Sequence, residues 1–180
     1  MDNLPWFWPG LVLSCAFGVL VARRLATMLG TSRALSWSIV VASGLIVSST
    51  LTPLRGVFGS VSLVAGGCDL SRVGFPPLER LLSINDTSLN LALFVPLGVA
   101  IAMVPPSRRR TLVILGAIAA PFVIEAVQSV FPVLARDCES ADVIDNLSGF
   151  AIGLIAGSVI SRLGRGRARD QPSRESTSSK

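Results

Sequence analysis

Five apolar segments, each close to the roughly 20 residues that a membrane-spanning helix needs, dominate this 180-residue chain. They cover approximately residues 6–22, 35–54, 89–104, 111–134 and 143–163, and the third is short for a span. Hydrophobic residues make up 51% of the chain and charged residues only 15%, whereas an ordinary soluble domain has about 25% charged residues. So few charges cannot cover that much apolar surface in water. The sequence therefore predicts an all-α integral membrane protein, a bundle of about five transmembrane helices.

Lysine and arginine are distributed unevenly between these segments. Most of them follow the first, third and fifth segments, as Arg23, Arg108 and Arg162 do. The remaining connections hold only Arg55, Arg72, Arg80 and Arg136. The positive-inside rule then places the N-terminus outside and the C-terminus in the cytoplasm. Because the positive charges follow the first segment and do not precede it, we expect a retained helix and not a cleaved signal peptide.

The chain divides into three regions, and its composition excludes several kinds of chemistry. Residues 1–34 hold the first helix and a basic turn, 35–163 form the membrane domain, and 164–180 form a basic cytoplasmic tail expected to be disordered. There is no histidine, which excludes His-ligated zinc and Ser-His-Asp triads. The net charge of +5 lies in short runs between apolar segments, which indicates topology and not nucleic-acid binding. We expect no cofactor and no bound metal.

Two of the three cysteines fall on the outer side of this topology. Cys68 lies in the long second connection and Cys138 in the short fourth one. Outside the cytoplasm thiols oxidise, so the sequence predicts a Cys68–Cys138 disulfide, which would stabilise the fold by about 4 kcal/mol in the chain-entropy model. Two unpaired thiols are the alternative. Cys15 is expected to be a buried apolar filler.

Polar side chains within the apolar segments point most directly to function. Glu125 and Gln128 are three residues apart, Asp142 and Asn146 are four apart, and Asn90 opens the third segment, so each pair shares one helix face. At about 1.5 Å per residue, Glu125 would lie roughly 14 Å from the outer end of its segment and Gln128 about 9 Å. A carboxylate at such depth is costly unless it faces protein or water. The set forms either hydrogen-bonding contacts between helices or a polar cavity in the outer half of the membrane.

Small residues recur at a spacing of four in the fifth segment. Gly149, Gly153 and Gly157 form a double small-xxx-small stripe, which allows a neighbouring helix to approach closely. The stripe therefore predicts a tight helix–helix contact below the polar pair Asp142 and Asn146.

The order and spacing of these residues resemble the VanZ-like family of bacterial membrane proteins. The pattern is Asn90-x-x-x-Phe94-x-Pro96-Leu97-Gly98, then Glu125-x-x-Gln128, Arg136, Asp142-x-x-x-Asn146-x-x-Gly149 and Gly153. It is strongest over residues 85–157 of the membrane domain. The resemblance implies a multi-pass protein of the bacterial cytoplasmic membrane. The family's recurring polar positions map onto six residues, and we expect these to form the ligand-binding set: Asn90, Glu125, Gln128, Arg136, Asp142 and Asn146. The family is named for a teicoplanin-resistance accessory protein, but the resemblance transfers no activity.

Three functions fit this pattern. The favoured one is a non-catalytic envelope protein that binds an amphiphile in the outer leaflet, either a lipid-linked cell-wall precursor or a lipidated glycopeptide. Arg136 would then pair with an anionic headgroup. The second is an enzyme on such a lipid, with Glu125 as general acid or base and with Asp142 and Asp145 holding a hard cation. The third is a small proton-coupled transporter through Glu125, although the inner half of the bundle lacks matching polar residues.

Overall fold

The structure is a computed structural model that describes residues 6–53, 68–72, 74–83, 85–134, 136 and 138–169. This part of the chain contains six α-helices and a single 3-10 turn, Pro132–Leu134. The helices are α1 (Phe7–Leu29), α2 (Arg33–Thr50), α3 (Leu78–Leu82), α4 (Asp86–Ala102), α5 (Arg108–Val130) and α6 (Ser140–Arg169). Within the described residues the only β pairing is one isolated bridge. The all-α fold class is therefore confirmed.

Four of these helices, α1, α2, α5 and α6, are long and apolar enough to cross a membrane. Helix α4 corresponds to the short third apolar segment and has 17 residues. It spans about 25 Å at the usual rise per residue, slightly less than the roughly 30 Å of a bilayer core. The chain is thus a helical membrane protein. Its shortest apolar helix, α4, is too short to span the bilayer core by itself and should be covered by other helices.

Helix ends differ from the predicted segments where prolines and capping residues intervene. The fourth segment was predicted to run to residue 134, but α5 ends at Val130. Pro132 disfavours a helical conformation in Phe131, whose ψ of 82° is outside the helical range. The sixth helix instead continues past 163 to Arg169, and no proline interrupts it there. Residues 164–169 of the predicted tail are therefore helical, and 170–180 and Arg55 lie outside the described residues.

Helices α1 and α2 form an antiparallel hairpin held by small residues. Gly30 adopts the left-handed conformation (φ 65°) that ends α1, and the Ser32 side chain accepts a hydrogen bond from the Leu35 N–H to begin α2. Gly18 packs directly under the Trp37 ring, whose Nε1 donates to the Cys15 carbonyl at 3.1 Å. The hairpin thus relies on close backbone approach.

The short helix α4 lies in the centre of the bundle, between α2 and α6. Its side chains supply the middle of the apolar core, where Phe94 and Ile101 are almost fully buried against Phe150 of α6 and Ile46 of α2. A helix covered by protein on several sides need not match the bilayer thickness. Its position explains how 17 residues are enough.

Helices α4 and α6 form the most extensive helix pair, and glycines bring their backbones together. A Cβ atom on Gly149 would lie 1.9 Å from the Leu91 carbonyl oxygen, and one on Gly153 would lie 2.3 Å from that of Val95. Gly98 of α4 is equally crowded, with the Phe150 carbonyl oxygen 2.4 Å from its Cβ position. The predicted small-residue stripe therefore packs on α4, and at these glycine positions there is no room for a side chain between the two backbones.

The polar end of the bundle is where α2 and α5 end and where α4 and α6 begin. The structure contains the disulfide predicted from the sequence, Cys68–Cys138, with a Cα–Cα distance of 4.5 Å. Cys15 is the unpaired cysteine, and it is partly exposed on α1 and not buried as expected. We call this end of the bundle, including the described parts of the connections 51–85 and 131–139, the disulfide end.

Candidate polar site at the disulfide end

All six positions predicted to bind a ligand lie at the disulfide end. Asn90 is in the first turns of α4, and Asp142 and Asn146 are in the first turns of α6. Glu125 and Gln128 are in the last turns of α5, and Arg136 follows in the connection. Because α5 ends at Val130, Glu125 lies only about 7.5 Å from its end and Gln128 about 3 Å. Both are shallower than the sequence predicted.

Glu125 is a buried acid held by a backbone amide. Its side chain is only 6% exposed, and Oε2 accepts a hydrogen bond from the Glu139 N–H at 2.8 Å. Glu139 immediately precedes α6. Glu125 therefore connects the end of α5 to the start of α6. We had expected side-chain amides to hold this carboxylate, but its partner is a main-chain N–H.

The side chains of Gln128 and Arg136 donate hydrogen bonds to the last carbonyl groups of α2. The last carbonyls of a helix have no partner within it. The Ser49 carbonyl accepts a hydrogen bond from Arg136 Nη2, and the Thr50 carbonyl accepts one from Gln128 Nε2 at 3.0 Å. The preceding carbonyls of Val47 and Ser48 bond to residues just after the helix. Two of the predicted site residues thus cap α2, and the positive charge of Arg136 also suits a helix C-terminus.

Arg136 is half-buried beside several carboxylates. Burial lowers the pKa of its guanidinium group, and the nearby charges of Asp142, Asp86 and Glu125 act in the opposite direction. Its Nε is buried with no hydrogen-bond partner among the described residues. Arg136 is therefore the positive centre around which the acidic side chains of this end are arranged.

The remaining predicted residues lie where α4 meets α6. The Asn90 side chain is beside the Asp142 carboxyl group. Asn146 is 1% exposed, and its Oδ1 has no hydrogen-bond partner in the described part of the chain. These residues continue the glycine stripe of α6 toward the disulfide end, so they extend the α4–α6 contact with polar groups.

The most deeply buried charge at this end is Asp145, which is not among the six predicted ligand-binding residues and was named only in the enzyme hypothesis. It is fully buried, and its Oδ2 forms an ion pair with Arg72 Nη2 at 2.5 Å. Arg72 Nη2 also donates to the Ala141 carbonyl, and the Ser140 hydroxyl donates to the Arg72 carbonyl. In the structure Asp145 is thus paired with an arginine, where the enzyme hypothesis had assigned it to a cation. Within the described residues no group of three or more His, Cys, Asp or Glu side chains is placed to hold a metal.

A short pairing of main chains holds Arg72 in position. The Asp69 N–H donates to the Cys138 carbonyl at 2.8 Å, and the Ser140 N–H donates to the Asp69 carbonyl at 2.9 Å. The disulfide lies directly beside this bridge. A hydrogen bond from the Ser71 N–H to the Asp69 carboxylate lowers the pKa of that group. Three local constraints therefore direct Arg72 onto Asp145.

An open cavity of about 230 Å³ lies above this pair. The connection before α4 contributes Arg72, Arg80 and Asn85. The start of α4 contributes Asp86 and Thr87, and the start of α6 with its preceding residue contributes Glu139, Ala141 and Asp142. Of the six predicted residues, only Asp142 lines this cavity. The other five lie at the same end of the bundle but do not line the cavity.

Comparison with known proteins relates this arrangement to a family. A sequence profile described as VanZ/LLP1 matches residues 48–161, well over half of the chain. The chain belongs to the VanZ/LLP1 family. The matching region runs from the end of α2 through most of α6, so it includes all six polar positions, both disulfide cysteines and the cavity. Helix α1 lies before it. No curated protein and no solved structure matches the chain significantly.

Several residues in or next to the cavity of this VanZ-like protein are not among the six predicted ligand-binding residues, although the sequence contains signals for some. Asp145 is a carboxylate inside an apolar segment and therefore requires a partner. Arg72 and Arg80 belong to the few basic residues on the outer side of the predicted topology. Asn85 and Ser88 form a capping box that marks the start of α4 and thereby the position of Asp86.

Proposed function

We propose that this VanZ-like membrane protein binds the polar head of an amphiphilic, lipid-linked ligand at its disulfide end. The observation that carries the proposal is the open, charged cavity at the starts of α4 and α6. Its walls are helices whose other surfaces are apolar, so a ligand with its head in the cavity can keep its tail in the membrane. The candidate ligands are a membrane lipid, a lipid-linked cell-wall precursor and a lipidated glycopeptide.

The six family positions support this function chiefly by shaping the cavity. Asp142 contacts the ligand directly. Glu125, Gln128 and Arg136 fix the relative positions of α2, α5 and α6 through hydrogen bonds to main-chain groups. Asn90 and Asn146 supply polar groups at the α4–α6 boundary next to Asp142. Removing any of them changes the shape of the site.

Filling the cavity is the direct test of binding. Ala141 lines the cavity, and a phenylalanine there adds bulk without changing charge. We expect Ala141→Phe to lose most of the lipid-like adduct that native mass spectrometry detects on the purified protein. Ala119→Phe, at an exposed position of α5, is the matched control and should keep it. Equal adduct occupancy in both variants would contradict binding in this cavity.

The proposal places the disulfide end outside the cytoplasm, in the orientation that the arginine distribution predicts. Disulfides persist outside the cytoplasm and are rare within it. Protein from cells treated with an alkylating agent before lysis should therefore migrate faster on a non-reducing gel than on a reducing gel, and Cys68→Ser should abolish the shift. Cys15→Ser is the control and should retain it. A wild-type protein that is fully alkylated at Cys68 and Cys138 would contradict this orientation.

Glu125→Gln distinguishes ligand binding from the enzyme and transporter alternatives. A glutamine oxygen can accept the same hydrogen bond from Glu139 but cannot exchange a proton. We expect the variant to keep the lipid adduct and any protection that the chain confers against teicoplanin in a susceptible host, the resistance role that the family resemblance suggests. Glu125→Leu, which leaves the Glu139 N–H without this acceptor, should reduce both. Loss of protection in Glu125→Gln with the adduct intact would favour acid–base or proton-relay chemistry.

A further inference from the structure

The cavity at the disulfide end is lined by charges of both signs, which come from different parts of the chain. Arg72 and Arg80 come from the connection before α4. Asp86 lies in the first turn of α4, and Glu139 and Asp142 lie at the start of α6. The positive groups thus lie on the connecting segment and the negative groups on the helix starts.

These charges do not neutralise one another. Within the described residues the only ion pair is Arg72 with Asp145, which lies beneath the cavity and not among its lining residues. Arg72 Nη1 is buried and has no hydrogen-bond partner in that part of the chain. Arg136 is near Asp86 and Asp142, but its Nη2 is bonded to the Ser49 carbonyl. Arg80 and the carboxylates of Asp86, Glu139 and Asp142 have no ion pair within the described residues, so the cavity offers charges of both signs to a ligand that carries both.

The size of the cavity limits what can enter it. Its volume of about 230 Å³ is below the roughly 300–1,000 Å³ of sites for drug-sized molecules. A phosphate joined by two carbons to an ammonium group is small enough for this space, whereas a whole glycopeptide is not. The ligand part inside the cavity is therefore a compact head group.

Exposed apolar side chains lie close in the chain to residues that line the cavity. Leu70 and Phe75, on either side of Arg72 in the chain, are 69% and 63% exposed, and Leu89 of α4 is also exposed. Exposed apolar residues next to a charged cavity are typical of a surface in contact with lipid. The segment that carries Arg72 thus lies against the membrane, where lipid head groups are available.

We propose that the cavity holds the zwitterionic head group of a membrane phospholipid, with the phosphate at Arg72 and Arg80 and the ammonium among Asp86, Glu139 and Asp142. This inference rests on the proposed function and names its ligand class. A guanidinium group suits a phosphate because it donates two parallel hydrogen bonds. The carboxylates accept hydrogen bonds from the ammonium group and exclude lipids whose head group is only negative.

Binding of short-chain lipids to the purified, disulfide-intact protein in detergent tests the assignment. The probes are dihexanoyl phosphatidylethanolamine and dihexanoyl phosphatidylglycerol, which share chains and phosphate and differ in the ammonium group. We expect the first to bind about tenfold more tightly, the effect of one hydrogen bond to a charged group. Asp86→Asn combined with Glu139→Gln should remove this preference. Arg80→Gln should weaken both lipids, and Glu79→Gln, outside the cavity, should change neither.

The outcomes separate this inference from the function on which it rests. Equal binding of both lipids that still depends on Arg80 would overturn the zwitterionic assignment and leave the proposed function intact. No binding of either lipid, or binding indifferent to Arg80→Gln, would overturn both. Soluble glycerophosphoethanolamine should bind at least about tenfold more weakly than its lipid, because it lacks chains to bury. Equal affinity would assign the cavity to a soluble compound and overturn the lipid assignment.

Discussion

Gly153→Ala is expected to destabilise the protein by about 3 kcal/mol, the upper part of the range for overpacking a core. The added Cβ would lie 2.3 Å from the Val95 carbonyl oxygen and 3.0 Å from the Gly98 Cα. Both neighbours are main-chain atoms, so the only relief is separation of α4 from α6. Unfolding in mixed micelles of dodecyl maltoside and sodium dodecyl sulfate measures the change.

Gly116→Ala is the matched control because Gly116 is helical in α5 and nothing lies within 4 Å of its Cβ position. Alanine favours helix over glycine by up to about 1 kcal/mol, so this variant should be as stable as the wild type or more so. The two variants are therefore expected to change stability in opposite directions. The same stabilisation in both would show that α4 and α6 are not in contact at Gly153.

Arg72→Met is expected to destabilise the protein by about 3–5 kcal/mol, the usual cost of removing one partner from a buried ion pair. Asp145 is fully buried and would keep a charge with no cation at its Oδ2. The connection that carries Arg72 would also lose its contact with the Ala141 carbonyl. Arg80→Met, which removes a guanidinium from the same cavity without breaking an ion pair, should cost less than about 1 kcal/mol.

A double-mutant cycle identifies the ion pair as the cause. Arg72→Met with Asp145→Leu removes both charges and should recover most of the stability, because an apolar pair replaces buried ions at little cost. Additive losses in the double variant would instead mean that Arg72 and Asp145 stabilise the fold independently. The cycle is measured as the thermal unfolding midpoint, in detergent and with the disulfide intact, of the wild type, the two single variants and the double variant.

Hydropathy alone predicts the helical membrane fold because apolar length is a local property of the sequence. The predicted end of the fourth segment was wrong. Pro132 signals the end of the helix, but the residues around it are all apolar, so the prediction followed hydropathy and extended the segment past the proline. The error moved Glu125 deeper than it lies. Capping residues such as Asn85 and Ser107 mark helix starts from sequence and give better boundaries than hydropathy.

The site was harder to predict than the fold because its contacts join distant parts of the chain. The glycine stripe predicts a close helix contact, but nothing in it identifies α4 as the partner. The polar residues of α5 and α6 are visible as costly groups in apolar segments. The main-chain groups that bond Glu125 and Gln128, the Glu139 N–H and the Thr50 carbonyl, leave no sequence pattern. Arg72 and Asp145 are 73 residues apart and meet only because the disulfide and the Asp69–Glu139 bridge bring the connection onto α6.

The polar residues at the disulfide end fall into two groups with different roles. The buried polar groups Glu125, Gln128 and Asp145 fix the helix ends through specific partners. Arg80 and Glu139 line the cavity, are exposed, and have no side-chain hydrogen bond or ion pair within the described residues. Variants of the first group should therefore change stability and binding together, and variants of the second should change binding alone.

A structure of the disulfide-intact protein crystallised with its native lipids tests the central claim most directly. The account predicts head-group density in the cavity, with its phosphate at Arg72 and Arg80 and its acyl chains along the outer surface of α4. Bound lipids that occupy only the outer faces of α1 and α5, with the cavity filled by protein side chains, would contradict it.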